Sequence, residues 1–385
     1  MSTQWTPTPR ELADLELVSV QAWPPDEPFR VALPEGVTGE VQLLDPEGVP
    51  LALYDPARGV VTTLEISEFG AFRGLHVPPA EVRRDHPGAF VVPVSAPLTR
   101  EDITAVVEHA TTSGSAPVLL VLTGVGAPQG ISAPALVRAT LAAARDVPGA
   151  TVVAASVAAR ETADETATFA SEVAGAYGDE VLTVIGEGAL PAEVAAVVRK
   201  DRPPLDERGL VVFFTGLSGS GKSTLARALH DLLLERGDRT VTTLDGDVVR
   251  HHLSKGLGFS REDRETNIAR IGWVAAEISR HHGVAICSPI APFASTRALV
   301  RQMVTDAGGS FALIHVATPL QECERRDRKG LYARARAGEI PEFTGISSPY
   351  DEPDDALVRV DTTGRSISDA LDDVLRSLRG AGMLS

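Results

Sequence analysis

Short apolar runs and helix-period stretches follow one another along this chain, and their texture changes twice. Up to about Pro97, brief apolar runs such as Glu40–Leu44 and Val49–Tyr54 sit among prolines and glycines. They read as strands joined by turns. From Thr99, helical patches (Glu101–His109, Ala135–Arg145, Thr162–Tyr177) alternate with buried-type strands (Val118–Leu122, Thr151–Ala154, Val181–Ile185). That alternation argues for an α/β unit with a mostly parallel sheet. A polar stretch at 200–208 carries Pro203 and Pro204 and reads as a linker.

After the linker the alternation is clearer. Strand Leu210–Thr215 leads to helix Lys222–Arg236, whose apolar stripe is Leu225, Leu229, Leu232 and Leu233, with Gly237 placed to cap it. Strand Thr240–Leu244 follows, then helix Glu262–Arg280, expected to bury Ile268, Ile271, Ala275 and Ile278. Strand Val284–Cys287, a helix near Ser295–Asp306 and strand Phe311–Val316 come next. Thr318-Pro-Leu-Gln321 has the form of a capping-box start. Leu357–Val360 is the expected last strand, and Ser366–Leu378 a closing helix with Ile367, Leu371, Val374 and Leu378 on one face. The expected organisation is a β-rich subdomain over 1–97, an α/β domain over 98–199, a linker over 200–208 and a second α/β domain over 209–385. No internal repeat is evident.

Composition narrows the function class. The 385 residues are 43% hydrophobic, enough for sizeable cores, and carry a formal net charge of −16. A global positive field for gripping nucleic acid is missing, so an anionic ligand needs a local basic pocket. Two cysteines, Cys287 and Cys323, make no disulfide framework and are expected as buried reduced thiols. The start, Met1-Ser-Thr-Gln-Trp-Thr-Pro7, has no basic stretch before an apolar one, and the apolar runs are too short to span a bilayer. The expectation is a soluble cytoplasmic protein without membrane or nucleic-acid partners.

The segment Gly216-Leu-Ser-Gly-Ser-Gly-Lys-Ser-Thr224 fits G-x-x-x-x-G-K-[ST] between a strand and a helix. Glycines at 216, 219 and 221 let the backbone turn sharply and aim N–H groups inward at an anion. Ser218, Ser220 and Thr224 complete the ATP-binding loop. The loop empties into a helix N-terminus that favours phosphate. Lys222 is placed to bridge the β- and γ-phosphates, and the Ser223 hydroxyl to coordinate Mg²⁺.

A phosphate loop says only that a nucleotide binds. Leu244-Asp-Gly-Asp-Val-Val-Arg250 puts two carboxylates at the C-terminal end of the second strand, beside that loop. Phosphoryl transfer to a hydroxyl needs a carboxylate to orient it and help hold Mg²⁺, and Asp245 suits both tasks. A solvated Asp-Gly turn is the plain alternative. Arg264 and Asn267, three apart, share a face near the start of their helix, where a cation suits an anionic substrate. Lys329, Arg334 and Arg336 lie in a basic run beginning at Asp327, followed by Phe343-Thr-Gly345. The run reads as a mobile lid that brings positive charge over phosphates.

Taken in order, GLSGSGKST, LDGDVVRHHLSKGLGFSREDRETNIARIG, ICSPIAPF and RDRKGLYARARAGEIPEFTGISSPY resemble the adenylyl-sulfate kinases, from about Leu210 to Glu352 and beyond. The resemblance implies a P-loop kinase fold, a parallel sheet flanked by helices. It implies transfer of the γ-phosphoryl group of Mg-ATP to the 3′-hydroxyl of adenylyl sulfate, giving 3′-phosphoadenylyl sulfate, with a homo-oligomer as the usual assembly. Phe259 and Phe343 look like the two faces that sandwich the substrate adenine. Arg250, Arg264 and Asn267 look like substrate ligands, with Asp247, Ile290 and Lys329 lining the same site. Lys222, Asp245 and Lys329 look like the catalytic set, and Asp245 faces the ribose hydroxyl. Two departures matter: Val248 stands where many members have Asn, and Ala291 where many have a serine reported as phosphorylated in some. A phosphoenzyme at 291 is thereby impossible, and direct in-line transfer is expected. A kinase for another nucleotide-like acceptor and a nucleotide-sensing regulatory protein remain the alternatives.

The first half resembles ATP sulfurylase, with its chemistry missing. Leu43–Ala52 looks like a strand-turn-strand of that family's N-terminal β-rich domain. Pro93–Arg100 falls where that family has Q-T-R-N-P-x-H-R; Pro97 and Arg100 remain, but Ser95, Ala96 and Thr99 replace the reactive residues. A second motif, G-R-D-H-A-G, would fall near Ile185–Ala189, without Arg, Asp or His. The resemblance therefore implies a degenerate sulfurylase-like domain with no sulfurylase activity, serving as a scaffold or a regulatory pocket.

Overall fold

The computed structural model describes residues 3–385 except 38, 65–69, 185 and 328. Ile185 and Arg328, both read above as parts of motifs, lie outside the described residues. The chain divides into two compact units, Met1–Arg202 and Pro203–Ser385.

The first unit holds two sheets. One joins Thr3–Trp5, Val41–Leu44, Pro50–Asp55 and Val60–Thr63, with the first pair parallel and the others antiparallel. The other is fully parallel, in the order Thr151–Ala155, Pro117–Leu122, Phe90–Val94, Glu180–Val181. Both faces of this sheet are covered. Val91, Val118, Leu120 and Val153 pack toward helix Ala163–Tyr177. Phe90, Val92, Leu119 and Val121 pack toward helices Arg100–Ser113 and Ala133–Ala143. Burial on both faces explains why these strands read as continuous apolar runs.

The stretch up to Pro97 is less purely β than its sequence suggests. Pro9–Ser19 is a helix with a complete capping box from Thr8 and Glu11 and proline in its first turn. Pro79–Asp85 is a second helix, and Phe90–Val94 belongs to the parallel sheet. The box Thr8-Pro-x-Glu11 was the available signal for the first helix; the short polar-rich stripe behind it hid the periodicity.

The second unit is one five-stranded parallel sheet in the order Val241–Leu244, Val284–Cys287, Leu210–Thr215, Ser310–Val316, Val358–Val360. Its central strand alternates strictly. Leu210, Val212 and Phe214 face helices Lys222–Arg236 and Ile367–Gly380. Val211 and Phe213 face helices Arg261–Arg280 and Ala294–Asp306. Two details differ from expectation. Thr318 does not open a capping box: Pro319 is the N-cap of helix Leu320–Arg326, with no side-chain cap. The Thr318 hydroxyl bonds instead to the Ser220 carbonyl (2.9 Å) and the Thr362 hydroxyl (2.8 Å). Ile367 is exposed, and Ala370 takes its place in the buried face of the closing helix. Cys287 and Cys323 are both free and buried.

Candidate functional site

The strand order of the second unit places the ends of Leu210–Thr215 and Val241–Leu244 near one another, on either side of Val284–Cys287. A ligand crevice belongs at the carboxyl ends of such strands. A cleft of about 1710 Å³ opens there.

The phosphate loop forms its floor. Gly216 has φ 148 and passes so close to the Val316 carbonyl that a Cβ would lie 2.4 Å from that oxygen. Gly221, at φ 104, begins helix Lys222–Arg236, and no side chain caps this N-terminus. Its amides are thus left for an anion. Lys222 is 7% exposed and donates to the Leu217 carbonyl at 2.7 Å. Burial pulls its ammonium down to about 8, against the opposing pull of Cys323, Asp245 and Asp247. A phosphate beside Lys222 supplies the missing counter-charge and restores its proton. At about pH 9, ATP binding should therefore take up a fraction of a proton that is absent at neutral pH. Calorimetry in buffers of different ionisation enthalpy measures it; no uptake at either pH would refute the assignment.

Ser223 donates to Asp245 Oδ2 at 2.9 Å, and Ser288 donates to the same oxygen at 3.0 Å. Asp245 also caps helix Gly246–His252 by accepting from the Asp247 amide at 3.0 Å. Burial would raise this carboxyl, but the Asp247 amide and the Ser223 and Ser288 hydroxyls outweigh it and hold it below the ordinary range. A carboxylate that hard to protonate is suited to orienting a hydroxyl and a cation. Ser223 and Asp245 offer two hard oxygen donors side by side, which fits Mg²⁺ that takes its other oxygens from phosphates and water.

The far side of the cleft is lined by Asp247, Phe259, Arg264, Ile290, Lys329 and Phe343. Lys329 donates to Asp247 at 2.7 Å, which raises the lysine above its usual value. Phe259 is 67% exposed, and the Arg250 guanidinium lies 4.6 Å from its ring centre. Arg250 does not line the cleft; it donates to the Gly258 carbonyl at 2.6 Å and props the loop that carries Phe259. Arg264 bonds Thr344 (3.1 Å) and Ser348 (3.2 Å). Among the described residues, its Nε and Oδ1 of the 4%-exposed Asn267 are buried without a hydrogen-bond partner, and Asn267 does not line the cleft. Of the phosphate-loop residues, Ser218, Gly219, Gly221, Lys222, Ser223 and Thr224 line the cleft, while Gly216 and Ser220 lie beneath it. Arg334 and Arg336 are each paired, with Glu339 (3.0 Å) and Glu324 (2.7 Å). Arg336 does not line the cleft. Ala291 is 1% exposed at φ 44, turned into the core rather than into the cleft.

Sequence reasoning missed several contributors. Arg326 lines the cleft and donates to the Thr362 hydroxyl (2.8 Å) and carbonyl (3.0 Å). The Tyr332 hydroxyl holds the Ser218 carbonyl at 2.8 Å. Ser288, directly after strand Val284–Cys287, donates to Asp245. Only the arginine left a trace, as the residue immediately before the basic run that begins at Asp327.

Residues 208–361 match the family model for adenylylsulphate kinase. The sulfate adenylyltransferase of Neosartorya fischeri is 46% identical over 190 residues, 49% of this chain and 33% of that protein. The Mycobacterium tuberculosis APS kinase CysC is 46% identical over 46% of this chain and 99% of its own, with TM-score 0.43. The chain belongs to the adenylylsulphate kinase family through its C-terminal unit. The hexameric APS kinase from Thiobacillus denitrificans shares the fold over 100% of this chain and 94% of its own, with TM-score 0.79 and 24% identity. The chain spans about a third of the length of the curated relatives that it matches. Among the described residues, no helix of this adenylylsulphate kinase-family chain is long and apolar enough to cross a membrane.

Proposed function

We propose that the protein is an adenylyl-sulfate kinase, moving the γ-phosphoryl group of Mg-ATP to the 3′-hydroxyl of adenylyl sulfate. One observation carries this reading. A phosphate loop with a buried lysine and a Ser223–Asp245 pair shares one cleft with a second, aromatic and basic half built from Phe259, Phe343, Arg264 and Lys329. The unpartnered Arg264 Nε supports a polar ligand there, because an orphaned buried group is costly unless something completes it.

This reading assigns the roles. Lys222 and the free helix N-terminus hold the phosphates of ATP. Ser223 and Asp245 hold Mg²⁺, which supplies charge neutralisation at the transferring group. Asp245 orients the acceptor hydroxyl, and Lys329 and Arg264 hold the acceptor's anionic groups. Phe259 and Phe343 offer flat faces to its base. Transfer is direct and in line. Ala291 has no nucleophile, and Ser288 is engaged by Asp245.

The N-terminal unit is proposed to lack sulfurylase activity. Thr99 caps helix Arg100–Ser113 in a box with Asp102, and Asp102 also accepts from the Gly186 amide at 3.0 Å. The chain's own carboxylate thus fills the helix N-terminus where an anion would bind. We propose a cytoplasmic homo-oligomer, in line with the hexameric relative; light scattering on the purified chain tests the assembly.

The decisive assay is ADP release by the purified chain with Mg-ATP, with and without adenylyl sulfate. Acceptor-dependent ADP, matched by 3′-phosphoadenylyl sulfate, is the expected result. ATP binding without acceptor-dependent turnover would defeat the reading.

A further inference from the structure

Three pieces of the second unit meet beneath the cleft: the end of the phosphate-loop strand, the turn that carries Ile290, and the end of the segment that carries Phe343. Their junction is Thr215, fully buried at the last position of its strand. Its Oγ1 lies 2.6 Å from the Ile290 carbonyl, 3.2 Å from the Ala291 carbonyl and 3.0 Å from the Tyr350 hydroxyl. The direction of these bonds is decided by counting protons. A threonine hydroxyl has one, and a carbonyl can only accept it. Tyr350 is then the donor to Thr215. Its phenol keeps its proton, because burial, against a hydrogen bond with Thr215, pushes it up to about 12. The chain runs Tyr350 Oη–H to Thr215 Oγ1–H to the carbonyl of Ile290.

The turn at the receiving end is strained. Ala291 has φ 44, a left-handed conformation that a residue with a Cβ holds only when its surroundings over-determine it. The surroundings do so. Arg297, 3% exposed, donates to the Ala291 carbonyl (2.9 Å) and to the Asp351 carbonyl (2.8 Å). The Asp351 amide donates to the Pro292 carbonyl at 2.8 Å, and the Ala294 amide to Asp351 Oδ2 at 3.0 Å. The His315 ring stacks on Tyr350 at 5.8 Å and fixes its plane. Every bond of the network ends on the strained turn or on the segment next to Tyr350. The turn is what presents Ile290 to the cleft.

We infer that Tyr350 is a positioning residue, which acts through Thr215 to hold the strained Ile290–Ala291 turn and so sets the acceptor side of the cleft. The kinetic part of this inference rests on the adenylyl-sulfate kinase reading; the structural part does not.

The test is Tyr350→Phe in the full chain, with two readouts. The first needs no substrate. Hydrogen–deuterium exchange should become several-fold faster at the Ala294 and Asp351 amides and stay unchanged in helix Lys222–Arg236. Unchanged exchange at both amides overturns the inference. The second is kinetic. Loss of one hydrogen bond in such a network should raise KM for adenylyl sulfate by roughly fivefold to tenfold, with KM for ATP little changed. An equal rise for both substrates, or for ATP alone, also overturns it. Thr215→Val should reproduce both effects and Thr215→Ser should restore both; a Thr215→Ser variant that behaves like Thr215→Val counts against the chain. Faster exchange in a protein whose wild type does not turn over adenylyl sulfate would leave the positioning role standing and the kinase reading defeated.

Discussion

Lys222→Met is expected to cut phosphoryl transfer by about a thousandfold while leaving the folded protein at least as stable as wild type. The two halves of that result have one cause. The ammonium is buried, its one hydrogen-bond partner among the described residues is the Leu217 carbonyl, and its affinity for a proton has fallen to about 8. A buried cation with so little compensation costs the empty fold stability, and its value appears only when phosphates arrive. The sign can be checked against pH. The unfolded lysine keeps its proton up to its ordinary 10.5, whereas the folded one begins to lose it near 8. Between those values the unfolded chain binds more protons, so this residue's contribution to stability rises with pH across that window. Below 8 both states are protonated and the full penalty remains. Urea unfolding at pH 7 and in the alkaline window, with steady-state kinetics at pH 7, measures both. A variant with normal turnover, or one that is markedly less stable at pH 7, would contradict the account.

Asp245→Asn should lower turnover by about 10²–10³-fold, with nucleotide binding in the absence of Mg²⁺ nearly unchanged. The amide oxygen can keep the cap on the Asp247 amide while its NH2 donates to the Ser223 or Ser288 hydroxyl oxygen, so local packing survives. What disappears is the negative charge shared between cation and acceptor hydroxyl. Titrating Mg²⁺ against a fluorescent ATP analogue should show weaker metal dependence in the variant. Unaltered turnover would move the orienting role to Asp247, which lines the same cleft but is already paired with Lys329.

Much of the kinase unit could be read from sequence because its rules are local. Leu210–Thr215 and Lys222–Arg236 have the bounds expected of them, since a doubly buried strand, a glycine loop and a leucine stripe each announce themselves over a few residues. The positions that escaped are those whose meaning depends on distant partners. Thr318 has the sequence of a cap, but its hydroxyl finds a better use against Ser220 and Thr362, 98 and 44 residues away. Arg250 is basic and near the motif, yet its guanidinium supports Phe259 from behind. Ser288 and Tyr350 carry no local signature; their roles exist only because the fold brings them to Asp245 and to Thr215, 43 and 135 residues away. In the first unit the helix at Pro9–Ser19 was hidden for a different reason: its capping signal was present, but its buried face is narrow.

The bridge between Lys329 and Asp247 is exposed on both sides, and bridges of that kind contribute little to stability. In the proposed reaction Lys329 must leave that partner to hold the acceptor. Engagement is then an exchange of ion pairs rather than a gain of one. Each time the lysine is claimed, a carboxylate is set loose at the rim of the cleft, so the mouth turns more repulsive to a second anion while the first is inside.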